Sequence, residues 1–469
     1  GVNRHTFHPK FARTSSKALS IEAVNLMKEM NMNAVRMSHY PPEKHFLEVC
    51  DSLGLFVLDE LTGWQRPSYD EQIGRKLLKE LIARDVNHQS IVLWDNGNEG
   101  GWNTKLDDDF AKLDIQQRKV LHPWEDFRET NTNHYVDYNY LALDGYSKRK
   151  IFFPTELLHG LYDGGHGAGL EDYWLRLWNH PLSAGGFLWV FADEAVARTD
   201  RNGELDADGN HAPDGIVGPY NEKEGSFYTV KKVWSPIYFE KRYITPQFNG
   251  VFNIENRHHY TNLKECSFIV EWLTYPSPSQ NGAEKIKFTE TIKVDLAPDQ
   301  KGKLKITLPP NWKSSQVLKI IAQSAEGTEI ATWSYPVNTP TIISNQIVQS
   351  GDESEIVLSE KGDNYRIEVK NMDGSVAINT VYAEKKDSVS WIIQKNGLVE
   401  LTVAYEPNKD ASYAGFSFSF PEENISGMKW MGQGPYRVWK NRMSDTSFGV
   451  WEKEYNNTST GNSGFEYPE

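Results

Sequence analysis

The chain is poor in cysteine: only Cys50 and Cys266 occur among its 469 residues, and the change of pattern along the chain assigns them to different domains. Two such residues build neither a disulfide framework nor a cysteine metal cluster. No apolar run is long enough to cross a bilayer, so no membrane span is expected. Basic clusters are missing as well, and the formal net charge is -14, which argues against nucleic acid or an anionic membrane as partner. A neutral partner fits better. There is no initiator methionine: Gly1 opens directly on GVNRH, which reads as an excerpt from a longer protein. The compartment stays open, periplasmic or secreted being favoured over cytoplasmic for the full-length parent.

What the chain does contain points to several packed domains. Its hydrophobic content of 39% suits a soluble protein of two to four domains. From Gly1 to about Ile244, short apolar runs alternate with helical patterns, as βαβ units do. Strands are predicted at GVNRH, Asn33–Ser38, Leu55–Glu60, Ile91–Trp94, Val120–Pro123, His134–Tyr138, Ile151–Pro154 and Gly186–Phe191. Ser20 is the predicted N-cap of a helix with Ile21, Val24, Met27 and Met30 on one face. Gly54 closes the next helix, and Ile73, Leu77 and Leu81 line a third. About eight strands predict a (β/α)8 TIM barrel over residues 1–245. After Pro246 the texture becomes antiparallel: Cys266–Trp272, Lys285–Val294 and Lys303–Leu308 predict an immunoglobulin-like β-sandwich over 246–338. A linker is read at Pro336–Thr341, and a further β-domain over 339–469 follows, with strands at Tyr365–Val369 and Leu398–Ala404. Its end, GFEYPE, reads as truncated.

Two stretches carry chemistry. In IVLWDNGNEGG (Ile91–Gly101) and IFFPTELLH (Ile151–His159) an apolar run stops at turn-forming residues and delivers a glutamate, Glu99 or Glu156, to the end of a buried parallel strand. That rim is the active face of a barrel. Glycoside hydrolysis with retention needs two carboxyl groups roughly 5–5.5 Å apart, one to protonate the leaving oxygen and one to attack the anomeric carbon. The negative charge of Glu156 is expected to raise the pKa of Glu99, which suits a proton donor. The abundance of aromatic rings, including 15 tryptophans, suits stacking on sugars, although most such rings fill cores.

Five motifs in order, GVNRH at 1–5, NAVRMSHYP at 33–41, GLFVLDE at 54–60, RDVNHQSIVLWDNGNE at 84–99 and GGFLWVFAD at 185–193, resemble those of glycoside hydrolase family 2. A sixth, WMGQGPYRVWKNR at 430–442, resembles the C-terminal β-domain of its β-galactosidase branch. The resemblance implies a retaining exo-acting glycosidase that releases terminal β-galactosyl residues from an oligo- or polysaccharide. Other β-glycosides (glucuronide, mannoside, α-L-arabinopyranoside) and a catalytically lapsed carbohydrate-binding barrel are the alternatives. It implies Glu99 as general acid/base, Glu156 as nucleophile, and Asn98 on the sugar 2-hydroxyl. It further implies His39 and His5 in the sugar pocket, Arg36 orienting the nucleophile, Trp189 under the sugar and His159 beside it. Tyr138 is preferred over Tyr135 as the tyrosine bonding the nucleophile. Homo-oligomerisation is left open.

Two departures from the family pattern matter. Where metal-dependent members carry Glu-x-His as magnesium ligands, this chain reads Glu60, Leu61, Thr62, so no required magnesium and no cofactor are expected. Where glucuronidases carry Asn-x-Lys, it reads Ala212, Pro213, Asp214. Asp214 would repel a uronate and could accept bonds from sugar hydroxyls instead.

Overall fold

A computed structural model describes residues 1–66, 69–142, 150–160, 167–207, 214–278, 282–337, 365–372, 375–382, 388–393, 399–404, 410, 423, 425–436, 444 and 446–454. The expected linker from 338 on, the 437–442 part of the sixth motif, Ala212 and Pro213, and the closing GFEYPE fall outside those residues. No helix among the described residues is long and apolar enough to cross a membrane.

The first unit alternates as its sequence pattern requires. β1 (Val2–Arg4), α1 (Lys17–Glu29), β2 (Ala34–Met37), α2 (Lys44–Leu53), β3 (Phe56–Trp64), α3 (Glu71–Asp85), β4 (Ile91–Asn98), α4 (Asp107–Leu113) and β5 (Val120–Leu121) follow in order. The five strands form one parallel sheet in sequence order. Next come β6 (Asp126–Phe127), β7 (Thr130–Asn131), α5 (Tyr138–Ala142), β8 (Ile151–Phe152), α6 (Leu170–Trp178), the pair β9 (Val196–Ala197) and β10 (Leu205–Asp206), and α7 (Gly225–Val233). β7 and β8 pair in parallel.

The expected closed eight-stranded ladder is not what the described residues show. Backbone near Leu188 bridges back to Val2 in parallel, and Trp189 bridges His159, but neither forms a ladder. Between β5 and β7 the contact is made by the Thr132 hydroxyl donating to His122 O (2.8 Å) and by Trp124 N–H donating to Thr132 O (3.3 Å). No strand forms at the expected His134–Tyr138: β7 ends at Asn131, a bend and irregular backbone follow, and Tyr138 opens α5. A ladder needs several paired residues, and this quarter of the ring spends its backbone on turns.

Helix faces also differ from the expectation in two places. α1 begins earlier, at Lys17, because Ser16 accepts the Leu19 N–H as N-cap; Ser20 lies buried inside the helix and Ile21 is exposed. In α3 the buried face is Gly74, Leu78, Leu81, Ile82 and Asp85, while Ile73 is 50% exposed. Gly54 does end α2, at φ 75°, with its N–H on Cys50 O. The shared core runs from α1 and α2 through Trp94, Phe110, Phe152 and Phe227, all fully buried. Each such ring contributes about 1.5–3 kcal/mol by leaving water.

Downstream, β11 (Ile237–Phe239), β12 (Val251–Asn256) and β15 (Lys301–Lys305) form one antiparallel sheet. β13 (Ser267–Thr274), β14 (Lys285–Ile292), β16 (Val317–Gln323) and β17 (Glu329–Pro336) form another. Phe252, Phe268, Trp272 and Tyr335 join a core between them. β18 (Tyr365–Met372), β19 (Ser375–Tyr382), β20 (Ser388–Ile393) and β21 (Val399–Ala404) make an antiparallel meander. The hairpin of β22 (Gly427–Gly434) and β23 (Ser447–Glu454) packs Phe448 on Leu273 and Val317.

Candidate active site

On β2, Val35 and Met37 join the apolar core, and the period of two turns Arg36 the other way, into the middle of the sheet's inner face. There it is fully buried, and all five of its N–H donors have acceptors. Nε donates to Asp95 (2.9 Å), Nη1 to Asn3 (2.9 Å) and Glu156 (2.9 Å), and Nη2 to Glu60 (2.7 Å) and Asn98 (2.8 Å). One guanidinium cannot neutralise three carboxylates. Burial pushes Glu60 and Asp95 up to about 7 despite the nearby Arg36 charge. Burial alone would lower Arg36, but Glu60, Asp95 and Glu156 together raise it.

The two glutamates singled out from the sequence stand together. A carboxylate oxygen of Glu99, one of Glu156 and a ring nitrogen of His134 all lie within 4.8 Å of one another. Glu156 is buried, with one oxygen on Arg36 and the other accepting the Tyr135 hydroxyl. Tyr135, rather than the preferred Tyr138, therefore meets Glu156. Tyr138 opens α5, 40% exposed, with its ring edge-on to Tyr173. Glu99 is only partly buried and sits at φ 45°, a left-handed conformation that strains a non-glycine residue. His134 Nδ1 is 3.0 Å from Glu99 and 3.4 Å from Glu156, while its Nε2 is 2.9 Å from the Thr155 hydroxyl. The hydrogen bond from His134 holds the Glu99 carboxyl below its ordinary pKa, opposite to the expected rise. Burial does act upward, but the His134 bond outweighs it.

Asn98, buried at the end of β4 beside Glu99, accepts from Arg36 at its amide oxygen (2.8 Å). Trp189 forms the far wall: His39 stacks on it at 5.2 Å and 15°, His5 meets it edge-on at 5.1 Å, and His159 lies tilted at 6.3 Å. His39 Nδ1 is 3.2 Å from Glu60, and His5 Nδ1 is 2.6 Å from Glu194. Burial, then the Arg36 charge, takes His39 well below its usual pKa; burial takes His159 to about 4. Both rings are thus neutral near pH 7. Trp189 Nε1 donates to Asp214 (3.1 Å), yet burial still pushes that carboxyl up to about 7. A cavity of about 310 Å³ opens beside Trp189, lined by His5, Glu194, Asp206 and Asp214 among others.

The family's magnesium site does not fit these residues. Glu60 is fully buried with one oxygen on Arg36 and the other near His39, and the side chain two positions on is the exposed Thr62. His134, Asp95, Asn3 and Glu194 were not foreseen in the sequence. The one signal for His134 is its adjacency to Tyr135.

Residues 1–210 match the model of the glycosyl hydrolases family 2 TIM barrel domain. The β-galactosidase of Priestia megaterium (strain DSM 319 / IMG 1521) is 27% identical over 382 residues, 72% of this chain and 35% of that protein. That of Vibrio vulnificus (strain CMCP6) is 31% identical over 231 residues, 44% of this chain and 22% of that protein. The matched part thus spans little more than a third of these relatives' length, or less. A β-glycosidase structure from Bacteroides vulgatus aligns over 87% of this chain and 64% of its own at 15% identity, with a TM-score of 0.42.

Proposed function

Because the chain carries the TIM barrel domain of glycoside hydrolase family 2, we propose that its parent is a retaining, exo-acting β-galactosidase in which Glu156 is the nucleophile and Glu99 the general acid/base. The observation that carries this reading is the asymmetry of the acid pair. Glu156 is buried and held at both oxygens by Arg36 and Tyr135, which aims it; Glu99 stands at the mouth, where a leaving oxygen and later a water can reach it. Oxygens within 4.8 Å of one another suit the roughly 5–5.5 Å carboxyl separation of a retaining pair.

In the first step a Glu156 oxygen bonds to the anomeric carbon as the glycosidic C–O bond breaks, and the Glu99 proton passes to the departing oxygen. In the second, Glu99 takes a proton from water, whose oxygen displaces Glu156 and restores the β configuration. Asn98 donates to the sugar 2-hydroxyl, and Trp189 with His5, His39 and His159 forms the pocket. Glu194, Asp206 and Asp214 around the adjoining cavity favour a neutral sugar over a uronide. We also propose the division into a (β/α)8 barrel (1–245), an immunoglobulin-like sandwich (246–338) and a β-galactosidase-type C-terminal domain (339–469). The two antiparallel sheets between Ile237 and Pro336 support it, although β11 begins before the proposed boundary.

Azide separates the two roles in the full-length parent. Glu156→Gly is expected to lose hydrolysis and, with azide and an activated nitrophenyl glycoside, to give the α-azide by inversion. Glu99→Ala is expected to accumulate glycosyl-enzyme and to give the β-azide by retention. A β-azide from the first variant, or an α-azide from the second, would reverse the assignment.

A further inference from the structure

A proton donor fixes where the leaving group must lie, and the two backbone segments that flank Glu99, the end of β3 and the turn after β5, each carry an exposed tryptophan. Trp64 ends β3 as the register partner of Asn98 on β4, and it is 56% exposed. Trp124 follows Pro123, whose carbonyl accepts the Glu99 backbone N–H at 3.3 Å, and it is 48% exposed. A third ring in this region has another task. Trp102 donates to the same Pro123 carbonyl (3.2 Å) and stacks on His122 at 5.3 Å, which in turn stacks on Phe127 at 3.7 Å. Trp102 therefore braces the Glu99 loop, whereas Trp64 and Trp124, whose backbones flank that loop, are exposed to solvent. The sugar pocket does not account for them, since its aromatic wall is Trp189 with His5, His39 and His159.

We propose that Trp64 and Trp124 form the aglycone site, stacking on the apolar face of the leaving pyranose of an oligosaccharide while Glu99 protonates its glycosidic oxygen. This rests on the assignment of Glu99 as the acid. An indole offers the ring face that a pyranose covers well, and two indoles on the segments either side of the end of β4 would hold it over the donor. Such contacts favour substrates with a long leaving group and give nothing to a leaving group of one atom.

The test compares two substrates of the glycone that the full-length protein turns over fastest: its β-glycosyl fluoride and its β-linked disaccharide. For Trp64→Ala and for Trp124→Ala, the ratio of kcat/KM for the disaccharide to that for the fluoride is expected to fall about three- to tenfold. Trp64→Phe and Trp124→Phe should restore most of it. An unchanged ratio overturns the proposal, as does an equal loss on both substrates, which would mark the rings as mere supports. The azide product of Glu99→Ala, measured alongside, keeps the two readings apart. A β-azide with an unchanged ratio sinks the aglycone site alone; an α-azide sinks the acid assignment and this site with it.

Discussion

At the residue scale, the acid pair is joined by His134, which approaches both acids from one ring nitrogen. Its hydrogen bond keeps the Glu99 carboxyl low, so Glu99 loses its proton at a lower pH than an ordinary glutamic acid. A general acid works only while protonated, and the basic limb of kcat/KM reports its pKa in the free enzyme. Removing the donor leaves burial, which acts upward. His134→Ala is therefore expected to shift the basic limb of the full-length protein to higher pH, as a kcat/KM titration will show; a limb that stays put would mean that His134 does not set the Glu99 proton. Both glutamates were legible in the sequence because each ends an apolar run. His134 was not: it lies in an irregular segment with no period, and its acidic partners come from distant strand ends. The choice between Tyr135 and Tyr138 failed for the same reason, since no period fixes which ring turns inward there.

At the scale of elements, three glycines let the ends of β3 and β4 meet where Asn98 and Glu99 project. A Cβ on Gly63 would stand 2.4 Å from Gly101 O, and one on Gly101 would stand 2.4 Å from Trp64 N. Gly97 adds a φ of 72° to a Cβ contact of 2.6 Å with Gly101 O, so an alanine there is both strained and crowded. Gly97→Ala is expected to push the Asn98–Glu99 end of β4 outward, and misplacement of about 1 Å costs on the order of 10²-fold in rate. Kinetics with thermal unfolding will check this: kcat/KM should fall that far while a cooperative transition persists at lower Tm. Strands β1 to β5 and helices α1 to α3 were legible because apolar runs and helical spacing alternate cleanly there. The eighth strand near Leu188 was readable as an apolar run but forms only single bridges, and β7 carries too few residues to leave a pattern.

At the scale of the molecule, the barrel's two halves in sequence meet in one guanidinium. Arg36 takes acceptors from β1, β3, β4 and the loop after β8, all in a buried setting. Lysine would supply one ammonium for five acceptors and leave buried carboxylates without a partner. Arg36→Lys is expected to lose about 3–5 kcal/mol of stability as well as activity, seen in chemical denaturation as a lower midpoint with an unchanged slope. The antiparallel texture after Pro246 was legible as texture, but strand pairing was not, because alternation records which face is buried and says nothing of which strand lies beside which.

Under the proposed assignment, that same guanidinium makes the acid site an all-or-none assembly. Asn3 enters at the start and Glu156 only after β8, so a chain that has assembled β1 to β4 alone has gathered Glu60 and Asp95 around Arg36 but lacks Glu156, the proposed nucleophile. When the segment after β8 docks, the same hydrogen bond that fills out the guanidinium also fixes the Glu156 carboxyl group in place. With Glu156 as the proposed nucleophile, turnover of the full-length protein would report that this docking is complete, and a partly built sheet would have no weaker version of the reaction to perform.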